Sequence, residues 1–83
     1  MDDRYKELIA VGASVTANCQ SCLEYHAGLA VGHGADEQDI AEAIGMGQAV
    51  RQGAGNKMDR FAAVVLKQDR QESGPVESGC GCT

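Results

Sequence analysis

The chain has 83 residues, 43% of them apolar but only three aromatic, and a net charge of −5. That length allows one domain, and a chain so short buries only about 60% of its unfolded surface. The acidic balance argues against nucleic acid, whose phosphates attract clusters of Lys and Arg, and no basic amphipathic stretch points to a membrane surface. The opening MDDRYKEL is acidic and polar, unlike a secretory leader, and the longest apolar run, residues 8–13, is far too short to span a bilayer. The expectation is a soluble, cytoplasmic protein. With so few aromatic residues its core must come from Ala, Val, Ile and Leu, which bury little area each, so association with further copies of the chain is expected. Thiols in the cytoplasm stay reduced, so the four cysteines are expected to be catalytic or metal-binding rather than structural staples.

No segment alternates apolar and polar residues at period two, and β-branched residues are scattered, so every element is predicted to be a helix. The first spans about 3–17, with Asp2 and Asp3 at its positive end. From Leu8 onward it is apolar or small nearly all round, broken only by Ser14 and Thr16. A helix without a polar face needs cover on several sides, part of it from another subunit. Asn18 is predicted to cap a second helix over 19–31, which Gly32 and Gly34 end. Asp36 caps a third helix with an apolar face of Ile40, Ala43, Ile44, Gly47 and Val50. A second stripe, Ala41, Gly45, Ala49 and Gly53, would let another backbone approach closely, unless it only reflects an Ala/Gly-rich chain. The stretch GAGN at 53–56 is predicted to break or kink the chain. A last helix then runs to about residue 67, with Met58, Phe61, Ala62 and Val65 as a buried face. Residues 68–83 are polar and aperiodic and read as a flexible tail. There is no internal repeat. The fold expected is thus an all-α, oligomeric helical bundle formed by residues 1–67.

The chemistry concentrates in NCQSCLEYH, residues 18–26. Spacings of three and four put Cys19, Cys22 and His26 on one helix face, each a turn above the last. Cys19 sits at the positive end of that helix, where a thiolate is stabilised. Cys22 is close enough to His26 to exchange a proton, the arrangement of an activated sulfur nucleophile, and the neighbouring thiol can close a disulfide. Glu7 is a candidate to orient the histidine. If the first two helices pack antiparallel about Asn18, Glu7 and His26 lie roughly 16 and 12 Å from the turn, within about one helical turn of each other. A carboxylate there would fix the imidazole tautomer; otherwise Glu7 is a solvated acid.

Three rivals compete with a redox pair. Zinc could take Cys19, Cys22 and His26, with His33 or the Cys80/Cys82 pair completing four ligands. Structural zinc cysteines usually sit in loops, however, and these open a helix. A thioredoxin motif needs a βαβ setting that the chain lacks. Plain packing of cysteine as a small hydrophobe leaves the histidine one turn on unexplained. The redox pair is favoured. His33, between two glycines, reads as solvated or as part of a helix C-cap.

Glu7, eleven residues, Cys19, two residues, Cys22, three residues and His26 form a pattern that closely resembles the AhpD-like branch of the carboxymuconolactone decarboxylase family. The resemblance runs from about residue 7 to 66 and includes GHGADEQDIAEAI. It implies an all-helical fold that assembles into trimers or hexamers; no cofactor and no metal are expected. It also implies thiol peroxidase or disulfide reductase activity with Glu7, Cys19, Cys22 and His26 as catalytic residues. Cys22 would react with a hydroperoxide, Cys19 would resolve the sulfenic acid as a disulfide, and Glu7 and His26 would relay the proton. A dithiol, in some relatives carried by a lipoylated protein, would restore the thiols. Peroxidase relatives often carry a second histidine just before the second cysteine; here Ser21 stands there, which makes general disulfide exchange more attractive. Relatives named for lactone decarboxylation generally lack the cysteine pair. The alternative from another class is a non-enzymatic protein that uses the same cysteines to bind metal or to sense oxidation. Cys80 and Cys82 near the end of the chain have three readings: an electron shuttle to the Cys19–Cys22 pair, a soft-metal site, or no role.

Overall fold

A computed structural model describes the backbone of residues 1–72 and the side chains of residues 1–68. It contains three helices, α1 (Asp3–Thr16), α2 (Gln20–Gly32) and α3 (Glu37–Glu72), and no strand among the described residues. No helix of the described residues is long and apolar enough to cross a membrane. Cys80 and Cys82 lie outside the described residues.

Each helix end is closed by local hydrogen bonding. The Asp2 carboxylate accepts the N–H of Tyr5 at 3.0 Å and caps α1. At the other end Asn18 takes φ +58°, a left-handed conformation that Asn tolerates better than most residues. Its N–H then reaches the Val15 carbonyl, and the N–H of Cys19 reaches that of Ser14, a Schellman closure. Asn18 therefore terminates α1, and the N-cap of α2 is Cys19, a correction of the cap expected from sequence. The same device ends α2: Gly34 has φ +98°, and the N–H groups of Gly34 and Ala35 bond the carbonyls of Val31 and Ala30. Ala30 and Ala35 are both buried, the apolar contact that accompanies this motif. His33 is the α2 C-cap residue, exposed to solvent. Asp36 and Asp39 exchange side-chain and backbone hydrogen bonds at the start of α3.

Helix α1 lies between the other two and packs on both. It forms an antiparallel hairpin with α2 and runs in the same direction as α3, because Gly12 meets Ala43 while Val15 meets Arg51 further along both helices. The α1–α3 crossing depends on two glycines. A Cβ added at Gly47 would fall on the Gly12 carbonyl oxygen and 2.9 Å from the Cβ of Val15, and one at Gly12 would stand 3.1 Å from the Ala43 carbonyl oxygen. The Thr16 hydroxyl lies between the carbonyls of Gly12 and Gly47, at 3.1 and 3.0 Å, and its one proton serves one of them at a time. Close backbone approach thus occurs along the Ala43–Gly47 line; the stripe Ala41, Gly45, Ala49 and Gly53 is exposed.

Two sequence expectations are corrected in α3. GAGN neither breaks nor kinks the chain: α3 is continuous over 36 residues, about 54 Å, and passes the expected end near residue 67. Each glycine weakens a helix by about 1 kcal/mol relative to Ala, but the stretch has no proline and no positive φ to stop it. The second correction concerns burial. The α1–α3 contact ends near Arg51, so Met58 and Phe61 are 63% and 62% exposed, and Val65 is also exposed. The buried core of the single chain is correspondingly small, made of Val11, Val15, Ala30 and Ala35. Ser14 is buried among them with its hydroxyl donating to the Ala10 carbonyl at 2.7 Å.

Candidate redox site

The turn at Asn18 places Cys19 where its extended backbone (φ −103°, ψ 100°) lets the sulfur serve as the helix cap. Cys19 Sγ accepts the N–H of Cys22 at 3.3 Å, one of the donors that the first turn of a helix leaves without an internal partner. A negative charge on this sulfur would face the positive end of α2. Cys19 and Cys22 are joined as a disulfide, with Cα atoms 5.3 Å apart, within the range such bonds span without backbone movement. Cys19 is half-buried and Cys22 exposed. Ser21 Oγ lies 3.8 Å from Cys19 Sγ.

One turn beyond Cys22, His26 points at α1. Its Nδ1 is 2.6 Å from Oε1 of Glu7, and the two side chains are 31% and 20% exposed. A carboxylate can only accept, so the hydrogen bond puts the proton of a neutral imidazole on Nδ1 and leaves Nε2 as the acceptor. The ring of Tyr25 meets His26 edge-on, with centroids 5.1 Å apart. All four residues singled out from the sequence thus belong to one α1–α2 surface: Glu7 contributes from α1, and Cys19, Cys22 and His26 from the cap and first two turns of α2. Among the described residues no three His, Cys, Asp or Glu side chains converge as a metal-ligating set.

A third helix also reaches this surface, through Arg51. A cavity of about 270 Å³ opens beside Cys19, lined among others by Ser14, Asn18, Leu23 and Arg51. Arg51 reaches it from α3, with Nη1 donating to the Val15 carbonyl at 3.2 Å and to Asn18 Oδ1 at 3.0 Å. The guanidinium thus braces the turn from which Cys19 emerges. Local pattern could not reveal Arg51, because it arrives through the α1–α3 crossing, one turn after Gly47.

The arrangement can form and break one disulfide next to a base of defined tautomer. No curated protein and no solved structure matches the chain significantly. A sequence profile does, over residues 1–66, a span that takes in α1, α2, the whole Glu7–Cys19–Cys22–His26 cluster and most of α3. On that match the chain belongs to the carboxymuconolactone decarboxylase family.

Proposed function

We propose that the chain is a cytoplasmic thiol-dependent oxidoreductase of the AhpD-like kind, reducing a hydroperoxide or a disulfide with the Cys19–Cys22 pair. The observation that carries this reading is the 2.6 Å contact between Glu7 and His26 on the helix that bears the disulfide. A purely structural disulfide has no need of an oriented imidazole one turn away.

In the reduced protein, Nε2 of His26 takes the proton of Cys22, and Glu7 holds the ring through Nδ1 and stabilises the imidazolium. The Cys22 thiolate attacks the terminal oxygen of a hydroperoxide. The O–O bond breaks, the alcohol leaves with the proton from His26, and Cys22 becomes a sulfenic acid. Cys19 attacks that sulfur, water leaves, and the disulfide forms. Two thiols have supplied the two electrons, and an external dithiol returns them. Where the substrate is a disulfide, the same thiolate attacks sulfur instead of oxygen. Ser21, in the place of a histidine found in peroxidase relatives, favours this second substrate class. The scheme calls on no metal or cofactor.

Self-association is part of the proposal. The trimer or hexamer that the family resemblance implies would cover Met58, Phe61 and Val65, which α1 and α2 leave exposed. It would also cover an apolar groove of about 560 Å³ along α1 and α3, lined by residues such as Ile9, Met46 and Val50.

The test is thiol titration of the reduced full chain mixed with hydroperoxide, followed by peptide mapping. The expected result is loss of Cys19 and Cys22 thiols together, one disulfide between them, and catalytic turnover when a dithiol is supplied. Thiols that persist under excess hydroperoxide and under excess low-molecular-weight disulfide would remove the proposal.

A further inference from the structure

We infer that the cavity beside Cys19 is the docking site of the reductant, and that Arg51 makes it selective for thiols that carry a carboxylate. The inference deepens the redox reading above by naming the chemistry of the electron donor. The protein is in its disulfide form, so a cavity open in this state faces the molecule that reacts with this state, which is the reductant rather than the oxidant. Of the two cysteines, Cys19 lines the cavity and Cys22 does not. A thiolate attacks whichever disulfide sulfur it can reach along the bond, and a thiol held in the cavity reaches Cys19.

Arg51 is the one cationic side chain among the cavity-lining residues, and no acidic residue lines it. Its two hydrogen bonds to protein both come from Nη1. A guanidinium has five N–H donors in a planar fork, so those on Nη2 and Nε can receive a carboxylate. No salt bridge to Arg51 occurs among the described residues. The chain carries a net charge of −5 and as a whole repels anions, so a lone Arg at the only disulfide among the described residues is where an acidic thiol gains over a neutral one.

The chemistry balances with a dithiol. One of its sulfurs, as thiolate, attacks Cys19. The Cys19–Cys22 bond breaks, and Cys22 leaves one turn from His26, which relays it a proton. The second sulfur of the reductant then attacks the first, closing the reductant's own disulfide and releasing Cys19, whose charge faces the N–H of Cys22 at the start of α2 until it is protonated. Two electrons and two protons have passed from the dithiol to the protein.

The experiment compares two reductants with the same dithiol and different ends, dihydrolipoate and dihydrolipoamide. The full chain is pre-oxidised and mixed with each, and loss of the Cys19–Cys22 disulfide is followed by quench and peptide mapping. The acid is expected to react about tenfold faster than the amide, as one charge-assisted pair at a part-exposed site allows. Arg51→Gln should bring the ratio of the two rates to about one, and Arg51→Lys should keep only part of it, because an ammonium retains the charge but not the planar fork. Glutathione, a monothiol with carboxylates, should be trapped as a mixed disulfide on Cys19. A ratio near one in the unsubstituted protein overturns the inference. So does a ratio that survives Arg51→Gln, because Arg51 would then only brace the Asn18 turn and its loss would slow both reductants alike. Glutathione found on Cys22 also overturns it. No peroxide enters the assay, so this outcome is separate from any failure of hydroperoxide turnover.

Discussion

Replacing Glu7 by Gln removes one charge and keeps the shape of the side chain. The Glu7–His26 contact is a 2.6 Å charge-assisted hydrogen bond, a class that contributes about 1.5–3 kcal/mol. Both partners are partly exposed, 31% and 20%, so water competes and the lower part of that range applies, about 1.5–2.5 kcal/mol. There is also a tautomer effect. A glutamine amide can turn its NH₂ toward Nδ1, which moves the imidazole proton to Nε2 and leaves the ring no free acceptor for a thiol proton. At about 1.4 kcal/mol per factor of ten, thiol oxidation by hydroperoxide should slow about 10- to 70-fold. The assay is stopped-flow mixing of reduced protein with hydroperoxide, with far-UV circular dichroism to check that the helices persist. Because Glu7 is argued to act through His26, the double substitution Glu7→Gln, His26→Gln should be no slower than His26→Gln alone. Wild-type speed in Glu7→Gln, or two effects that multiply in the double variant, would refute the relay.

Three further predictions concern the scaffold. Gly47→Ala should destabilise the chain by about 1–3 kcal/mol, because the new methyl must displace the Gly12 carbonyl and Val15, while Gly53→Ala, where a Cβ meets nothing within 4 Å, should stabilise α3 by up to about 1 kcal/mol; thermal melts that rank the two the other way contradict the crossing. Asn18→Val places a β-branched residue at φ +58° and should cost about 1–2 kcal/mol and slow Cys19–Cys22 disulfide formation, whereas Asn18→Gly should spare the turn and lose only the Arg51 contact. If the chain self-associates through the exposed α3 face as proposed, Phe61→Asp should lower the mass measured by light scattering, since it charges that face; an unsubstituted chain that runs as a monomer, or a mass unchanged by the substitution, contradicts this interface.

The Cys19–Cys22 and Glu7–His26 contacts follow from helical spacing and one antiparallel hairpin, both legible in the sequence. Helical spacing aligns Cys22 and His26, the cap position brings Cys19 beside them, and a hairpin about Asn18 brings Glu7 to the same height. The profile match names the same family as those four residues. Sequence alone points to Asn18 as the α2 cap, but Asn and Cys both stand at the junction and φ decides between them. Asn is at home in the left-handed region, so it closes α1 and hands the cap to Cys19. GAGN suggests a break or kink because glycine permits one, but permission is not a requirement, and residues on both sides keep the helix going.

Periodicity is a property of one helix, and so it revealed which faces are apolar. It carried no information about which face another helix would meet. The crossing of α1 on α3 at Gly12 and Gly47 depends on two backbones approaching closely, and it could equally have used the neighbouring stripe of small residues. That crossing brings Arg51 to the cavity beside Cys19, a pairing of residues 32 positions apart that no local signal encodes. It also leaves the second half of α3 without cover from its own chain, because a helix of about 54 Å outruns the two short helices that could shield it.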